Sequence, residues 1–478
     1  MDQQSATDVL VIGAGPTGLT LAVDLARRGV RHRIIDQAEA YGTASRAKTI
    51  QPQSLEVMDD LGAVAAITAN RRADLPTRYY GDDGAVTDKP GIAASASASL
   101  ATAYPDPVWI AEFDVEAALR DRLADWGGRV ELGTTATDLT QDDDGVTVAV
   151  RTIQGTSAIR ARYVIAADGG KSRTRQLIGT PLVGETYEDQ RFYLGDIHLN
   201  GLDRAWVHIW ASAEGMLALT PLPSIDIWQL QATIAAEVED PEPASLALYQ
   251  AMLARRPGAE NVTITDVTWL SVYRANVRLA DHYRSNRVFL AGDAAHVHSP
   301  GGGQDMNTGI QDADNLSCKL AADLDGADDK LLDSYDEERR PVARSVLKDS
   351  TRKFDSLLKT TGDRRALATE IGSLSDDLTS GLLIRYPEST LSQQAGATPG
   401  AGPRPDVHVH EIASGGAFGN GVADRDRHAR AAYDPQGDEL ILIRPDGYVG
   451  ARAASRDTTV ISDYLARHLR HPGRATET

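Results

Sequence analysis

An α/β fold is predicted, built on a Rossmann-like dinucleotide-binding domain with an interleaved β-sheet domain and a small C-terminal domain. Three observations predict it. The segment "DVLVIGAGPTGLTLAVDLARRGVRHRIID" runs from an apolar strand through a glycine turn into a helix and on to a strand ending at Asp36. From Pro181 to Ala280 apolar and polar residues alternate, as in "AWVHIW" and "IWQLQATI", which is the period of a sheet with one ligand-facing or exposed side. Near the end, "DELILIRPDGYVGARA" reads as two strands joined around Asp446 and Gly447, a hairpin signal.

In the first unit, Val9 to Ile12 form the strand, and Leu19, Ala22, Val23 and Ala26 recur at helical spacing before the strand at Ile34 and Ile35. Gly13 permits the tight turn, Gly15 lets a pyrophosphate approach the amides, and Gly18 packs helix on strand. Pro16 and Thr17 complete that turn. Asp36 then accepts from a ribose hydroxyl, the alternative being a solvated strand-end acid. The stretches "GTASRAKTIQPQSLEVMDDLG" and "EFDVEAALRDRLADWGG" read as helices with connecting loops, and "RARYVIAADGGKSRTRQLIG" as a strand, a loop and a helix.

The segment "VFLAGDAAHVHSPGGGQDMNTGIQDADN" is a further strand, turn and helix. Its successive glycines bring backbone close to something flat or charged. Long helices follow to about Arg385, "GIAASASASLATA" reads as a pliable loop, and "LSQQAGATPGAGPRPD" has linker composition. The expected division is 1–180 and 281–390 for the nucleotide-binding domain, 181–280 for the sheet domain, 391–406 for the linker and 407–478 for the C-terminal domain.

Bulk properties narrow the function. The chain has 478 residues and a formal net charge of −19, a field that repels nucleic acid and anionic membranes. An anionic cofactor therefore needs a local site. Cys318 is the single cysteine, which excludes an intramolecular disulfide, a CxxC redox pair and a cysteine-rich zinc site. With no signal-like start and no run of eighteen apolar residues, a soluble, cytoplasmic protein is expected.

Three separated motifs, "GAGPTGLTLAVDLARRG", "AADGGKSRTR" and "RVFLAGDAAHVHSPGGGQDMNTGIQDADNLSCKLA", resemble in order and spacing those of the class A flavoprotein aromatic hydroxylases, the para-hydroxybenzoate hydroxylase fold. The similarity spans roughly residues 5 to 345. It implies noncovalent FAD, with NAD(P)H as the reductant that binds without a second Rossmann domain, and O2 and a small aromatic compound as the other partners. It implies that Asp293 accepts from a ribityl hydroxyl, that Pro300 and Gly303 line the isoalloxazine edge, and that the helix beginning near Met306 and Asn307 points amides at flavin N1 and O2. Asp168 is placed with Gly169, Ser172 and Arg175 near the FAD pyrophosphate and the NAD(P)H route, the alternative being a capped loop with an Asp168–Arg175 pair. Arg46 matches an arginine close to FAD, and Pro300 and Arg46 are the candidates nearest the chemistry.

The implied activity is hydroxylation of a phenolic or polycyclic aromatic compound through a flavin C4a-hydroperoxide, with polyketide or antibiotic tailoring preferred over simple-phenol catabolism or Baeyer–Villiger insertion. The tail resembles the thioredoxin-like C-terminal domain of larger members. It carries no FAD motif, so it is expected to stabilise the protein or join copies of it, as a monomer or homodimer. A halogenase is disfavoured because "WVHIW" does not fit WxWxIP. Three positions depart from the family, and a noncatalytic flavin- or drug-binding protein stays open because the acids at two of them, Asp305 and Glu112, put negative charge near the flavin and oppose its reduction. Asp305 stands where glycine is common, Glu112 where many relatives have a flavin-contacting glutamine, and Cys318 where tryptophan is frequent. Asp305 is expected to cap its helix. His296 and His298 are either bases or structural turn residues, and Trp206, His208 and Trp210 either face a planar substrate or pack in a core.

Overall fold

A computed structural model describes residues 6–69, 72, 75–91, 102–223, 225–235, 237–298, 303–360, 363–372, 379–386 and 388–391; in the tail it describes 412–413, 422–423, 439–444, 446, 449–454 and 459–468. The loop at 92–101, Pro300 with Gly301 and Gly302, and most of the expected linker lie outside the described residues.

Strand Ala6–Ile12 is apolar on both faces and pairs in parallel with Gly155–Ala166 on one side and His32–Ile35 on the other. Val288–Leu290 adds beyond Gly155–Ala166, and Val130–Glu131 beyond His32–Ile35, both parallel. Such strands need cover on both sides. Val9, Val11, Leu19 and Ile310 are buried on one side of this sheet, and Leu10, Ile12, Val148 and Val164 on the other. The register matters for the site. Ile12 lies opposite Ala166 and Ile35, and Ala166 opposite Leu290, so four neighbouring strands end level.

A second sheet of eight strands is ordered 296–297, 263–280, 182–200, 228–234, 215–221, 207–212, 77–80, 86–89. It therefore reaches beyond the alternating segment and recruits Thr77–Tyr80 and Val86–Lys89 from the first third of the chain. The bridge from Arg278 and Leu279 to Val297 and His296 ties it to the third motif. One face packs Trp210, Trp228 and Tyr249 into a core, and the other packs Phe192, Ile209 and Met216 towards Leu357 and Leu367.

Only part of "GTASRAKTIQPQSLEVMDDLG" is helical. Thr49–Ile50 is a short strand paired with Val108–Trp109, and the helix runs Pro52–Asp60 with proline in its first turn, where its missing N–H costs nothing. Glu112–Asp125 is helical as expected. In the tail, Glu439–Ile443 and Val449–Ala454 form the expected antiparallel pair, and Val460 and Tyr464 of helix Thr459–His468 cover Ala451 and Ala453. No helix among the described residues is long and apolar enough to cross a membrane.

Candidate active site

All three motifs leave the first sheet at the carboxyl ends of its level strands. Gly13 N donates to Ile35 O at 2.9 Å, Ala167 N to Ile12 O at 2.8 Å and Ala291 N to Ala166 O at 3.0 Å, so each loop departs from one shared edge. Open parallel sheets bind ligands at that edge. Side chains then join the loops. The hydroxyl of Thr17 stands where a Cβ on Gly292 or on Gly309 would be, at 2.5 and 2.3 Å. Arg175 donates to Ala294 O and Gly170 O at 2.9 and 3.0 Å.

The three glycines of the first turn have different reasons. Gly13 has φ +106°, and a Cβ there would sit 2.2 Å from Ala167 O; one on Gly18 would sit 2.0 Å from Gly13 O. Both are needed for backbone to pass backbone. Gly15 is different, because its Cβ direction meets only Glu116 Oε1 at 4.0 Å. Gly15 is also the N-cap of helix Pro16–Arg27, with no side chain capping the first amides. Open space in front of free amides at a helix start suits a pyrophosphate. Asp36 follows the second strand, where its carboxylate accepts from Ala14 N at 2.7 Å and Ala38 N at 2.8 Å.

Asp168 holds its own loop together. It accepts from the hydroxyl of Ser172 at 2.5 Å and from the amide and hydroxyl of Thr174 at 3.0 Å each. Ser172 caps the helix by accepting from Arg175 N. The capped loop forms, whereas the guanidinium of Arg175 goes to the carbonyls given above and not to Asp168.

Opposite lies an acidic group around Arg46. Glu112 Oε2 accepts from the amides of Arg46 and Ala47 at 3.0 Å each, and its Oε1 lies 3.7 Å from the Arg46 guanidinium. The carboxyl thus braces the chain at residues 45 to 47. Burial raises the carboxyl pKa of Asp293, against the pull of His296 and Arg46. Asp305 is the first residue of helix Asp305–Leu324, and Gln304 occupies the N-cap without a side-chain capping bond, its Nε2 donating instead to Thr379 O at 2.8 Å. The expected capping by Asp305 does not occur; its Oδ1 is buried without a partner among the described residues. Asn307 is engaged structurally, accepting from Gln51 N at 2.8 Å and donating to Thr49 O and Gly303 O at 3.1 and 2.8 Å. Met306 is buried, and Gly303 has φ +62° with Thr49 Oγ1 where its Cβ would be.

His296 and His298 are fully buried and bonded to Asp312 and to each other. They are structural residues with no access to solvent, His296 in the short strand 296–297 and His298 just after it. Trp206 precedes its strand and lies under the Arg78 guanidinium at 4.3 Å. His208 and Trp210 stack with Tyr80 in the core on the face away from the motifs. Core packing, rather than substrate contact, is their role.

A polar line on the second sheet was not anticipated. Thr220, Gln229 and Asp196 are cross-strand partners on three adjacent strands. They meet the segment before the short strand Thr49–Ile50. Asp196 Oδ2 accepts from Ser45 N at 2.6 Å, Gln229 Nε2 donates to Ser45 O, and Lys48 Nζ lies 3.3 Å from Thr220 Oγ1. Burial pushes the Lys48 ammonium down to about 8, against Asp196, and pushes Asp196 up to about 6. A lysine in "SRAKTI" carries no local signal of burial; only the sheet packed over it desolvates the amine.

These residues fit FAD, in a cradle of free amides that a Cβ would fill and beside a buried acid close to a helix start. A model of the FAD binding domain matches residues 6–350. A flavin-dependent monooxygenase of Mycobacteroides abscessus is 35% identical, over 96% of this chain and 99% of that protein. The 6-methylpretetramide 4-monooxygenase of Streptomyces rimosus is 33% identical, over 96% of this chain and 93% of its own. Among solved structures, OxyS anhydrotetracycline hydroxylase from Streptomyces rimosus superposes with a TM-score of 0.74 at 27% identity, covering 98% of this chain and all of that one. The chain belongs to the FAD-binding-domain family of flavin-dependent monooxygenases.

Proposed function

We propose that this enzyme transfers one atom of O2 to a ring carbon of a polycyclic phenol at the expense of NAD(P)H. FAD, when bound, supplies the two-electron chemistry that couples reductant, O2 and ring. The chain supplies binding, orientation and exclusion of water. In this reading 1–180 and 281–390 hold FAD, 181–280 faces the substrate, and 407–478 has a supporting role.

Within that reading, Gly13, Gly15 and Gly18, with Pro16 and Thr17, receive the pyrophosphate, and Asp36 the adenosine ribose. Asp293 holds the ribityl chain, and Gly303, Pro300 and the first turn of the helix with Met306 and Asn307 flank the ring. Arg46 lies over this acidic group, and its charge is available to an anionic ligand. Asp168 keeps its loop in shape beside them.

The observation that carries the substrate side is the line Asp196, Gln229 and Thr220 with Lys48 beneath the sheet. A buried ammonium held near 8 favours a phenol in its ionised form, which activates the ring carbons ortho and para to the oxygen. Relatives named for 6-methylpretetramide and anhydrotetracycline support a multi-ring compound.

The test is NAD(P)H oxidation under air, with flavin-reconstituted protein and a panel of single-ring and multi-ring phenols. Multi-ring phenols should accelerate oxidation and gain one oxygen by mass. Acceleration confined to single-ring phenols replaces the substrate class, and no acceleration by any phenol favours a binding protein.

A further inference from the structure

Six aromatic rings stand in series from the turn assigned to the flavin along one face of the first sheet. The ring centroids of His298 and His296 are 4.8 Å apart, those of His296 and Tyr283 6.2 Å, and those of Tyr283 and Tyr335 5.8 Å. Tyr335 then meets Phe289 at 6.2 Å, and Phe289 meets Tyr163 at 6.0 Å. All six residues are buried. At the outer end the partly exposed Arg287 places its guanidinium 5.4 Å from the Tyr163 ring.

Packing accounts for the rings and leaves the hydroxyls unexplained. The hydroxyl of Tyr283 is buried with no partner among the described residues, a desolvation cost that phenylalanine of the same outline would avoid. Tyr335 donates to Leu290 O at 2.8 Å. Tyr163 donates to Asp323 Oδ2 at 2.7 Å.

These partners rank the three phenols as electron donors. Burial raises the pKa of each, so each starts with its proton. A phenol that loses an electron becomes a strong acid, and it is oxidised readily only where the proton can leave. Tyr283 has no acceptor and Tyr335 has a carbonyl, so a positive charge on either would stay buried. Tyr163 faces a carboxylate, and burial raises the Asp323 carboxyl and makes it the better proton acceptor. An electron vacancy that enters at the histidines therefore runs downhill to Tyr163.

We propose that this column is a one-electron relay that draws oxidising equivalents away from the flavin turn, with Tyr163 as its terminus. It rests on the FAD reading of that turn. Its oxidant arises in turnovers that yield hydrogen peroxide and no product. Peroxide takes one electron from the reduced cofactor, its O–O bond breaks, and hydroxyl radical and hydroxide form. The hydroxyl radical takes one electron through the column and becomes hydroxide. At Tyr163 the O–H bond breaks, the proton passes to Asp323 Oδ2, and a neutral tyrosyl radical remains. A thiolate in solvent returns the electron and becomes a thiyl radical, while Asp323 returns the proton. Met306, on the first turn of the helix beside the flavin turn, is thereby spared oxidation to its sulfoxide.

The test is electron paramagnetic resonance of flavin-loaded protein frozen during substrate-free NAD(P)H oxidation with added hydrogen peroxide. Wild type should show a tyrosyl radical, identified by narrowing of the signal with ring-deuterated tyrosine. Tyr163→Phe and Tyr335→Phe should lose it, and peptide mass spectrometry should then find Met306 sulfoxide accumulating faster. Tyr249→Phe, in the core of the second sheet, should keep the wild-type signal. Tyr283→Phe separates a redox role from packing, because it removes an unpartnered hydroxyl. It should melt no lower than wild type and still lose the radical. A wild type without a tyrosyl signal, or an undiminished signal in Tyr163→Phe or Tyr283→Phe, overturns the relay. Flavin absorbance is read first: protein that takes up no FAD fails the functional reading and leaves the relay no oxidant, whereas flavin-loaded protein that oxidises NAD(P)H without the radical fails the relay alone.

Discussion

Arg444 of the tail hairpin donates to both carboxylate oxygens of Glu338 in helix Lys330–Thr360, at 2.5 and 2.8 Å. Glu338 also accepts from Lys319 at 2.7 Å and Ser389 at 2.6 Å, and Arg444 from its other side meets Asp446. The tail therefore closes a buried ionic network of the FAD-binding region. Arg444→Met leaves that network unbalanced and should cost about 3–5 kcal/mol of unfolding free energy, measured by denaturant titration. Burial alone would raise the Glu338 carboxyl, but Lys319 and Arg444 hold it below its unfolded value. Its contribution is thus present above about pH 4.3 and fades as pH falls, so wild type and variant should converge in acid. A chain ending near Thr390 should be markedly less stable, for the same reason.

Gly13 and Gly15 should separate folding from cofactor binding. Gly13→Ala places a methyl against the Ala167 carbonyl at positive φ and should lower apo-protein stability by at least about 1–3 kcal/mol. Gly15→Ala has room for its methyl, so apo stability should hold while FAD affinity drops by about tenfold or more. Calorimetry with FAD titration checks both; equal stability losses would mean that Gly15 is only a packing residue.

Glu116 faces the same space, and burial together with Glu112 raises its carboxyl pKa to about 7. A pyrophosphate nearby favours the protonated form. FAD affinity should therefore weaken as pH rises through about 7, and Glu116→Gln should remove most of that dependence and tighten binding at pH 8. An unchanged pH profile in the glutamine variant would show that Arg120, 3.6 Å from Glu116, already neutralises it.

Lys48 and Asp196 titrate near 8 and 6, so both are charged between those values. Phenol binding, followed by perturbation of the flavin spectrum, should weaken as pH rises through about 8. Lys48→Met should raise Kd by about tenfold or more, as expected for loss of a hydrogen bond to a charged group, and abolish that break. A methionine variant with the wild-type Kd and profile places the phenol elsewhere.

What the sequence made legible was local. Gly13, Gly15, Gly18 and Asp36 fall within one βαβ unit, where strand, turn and helix are set by neighbours in the chain. The tail hairpin was readable for the same reason. Asp305 was misjudged because a one-residue difference in where a helix starts turns a cap into a first-turn acid, and the charges that act on it, Asp293, Arg46 and Glu112, come from other segments of the chain. Lys48 and Asp196 were invisible because they are 148 positions apart and meet only when the second sheet docks. The recruitment of residues 77–89 to that sheet is equally non-local. Glu112 was read as a flavin-side acid, and its partners in the structure are the amides of Arg46 and Ala47.

Incubation with NAD(P)H, a multi-ring phenol and 18O2 tests the central claim most directly. The account predicts one 18O atom per product molecule, carried on a ring carbon, with NAD(P)H consumed in step. Reductant consumed only to hydrogen peroxide across the panel of phenols, with no label in any of them, would contradict it.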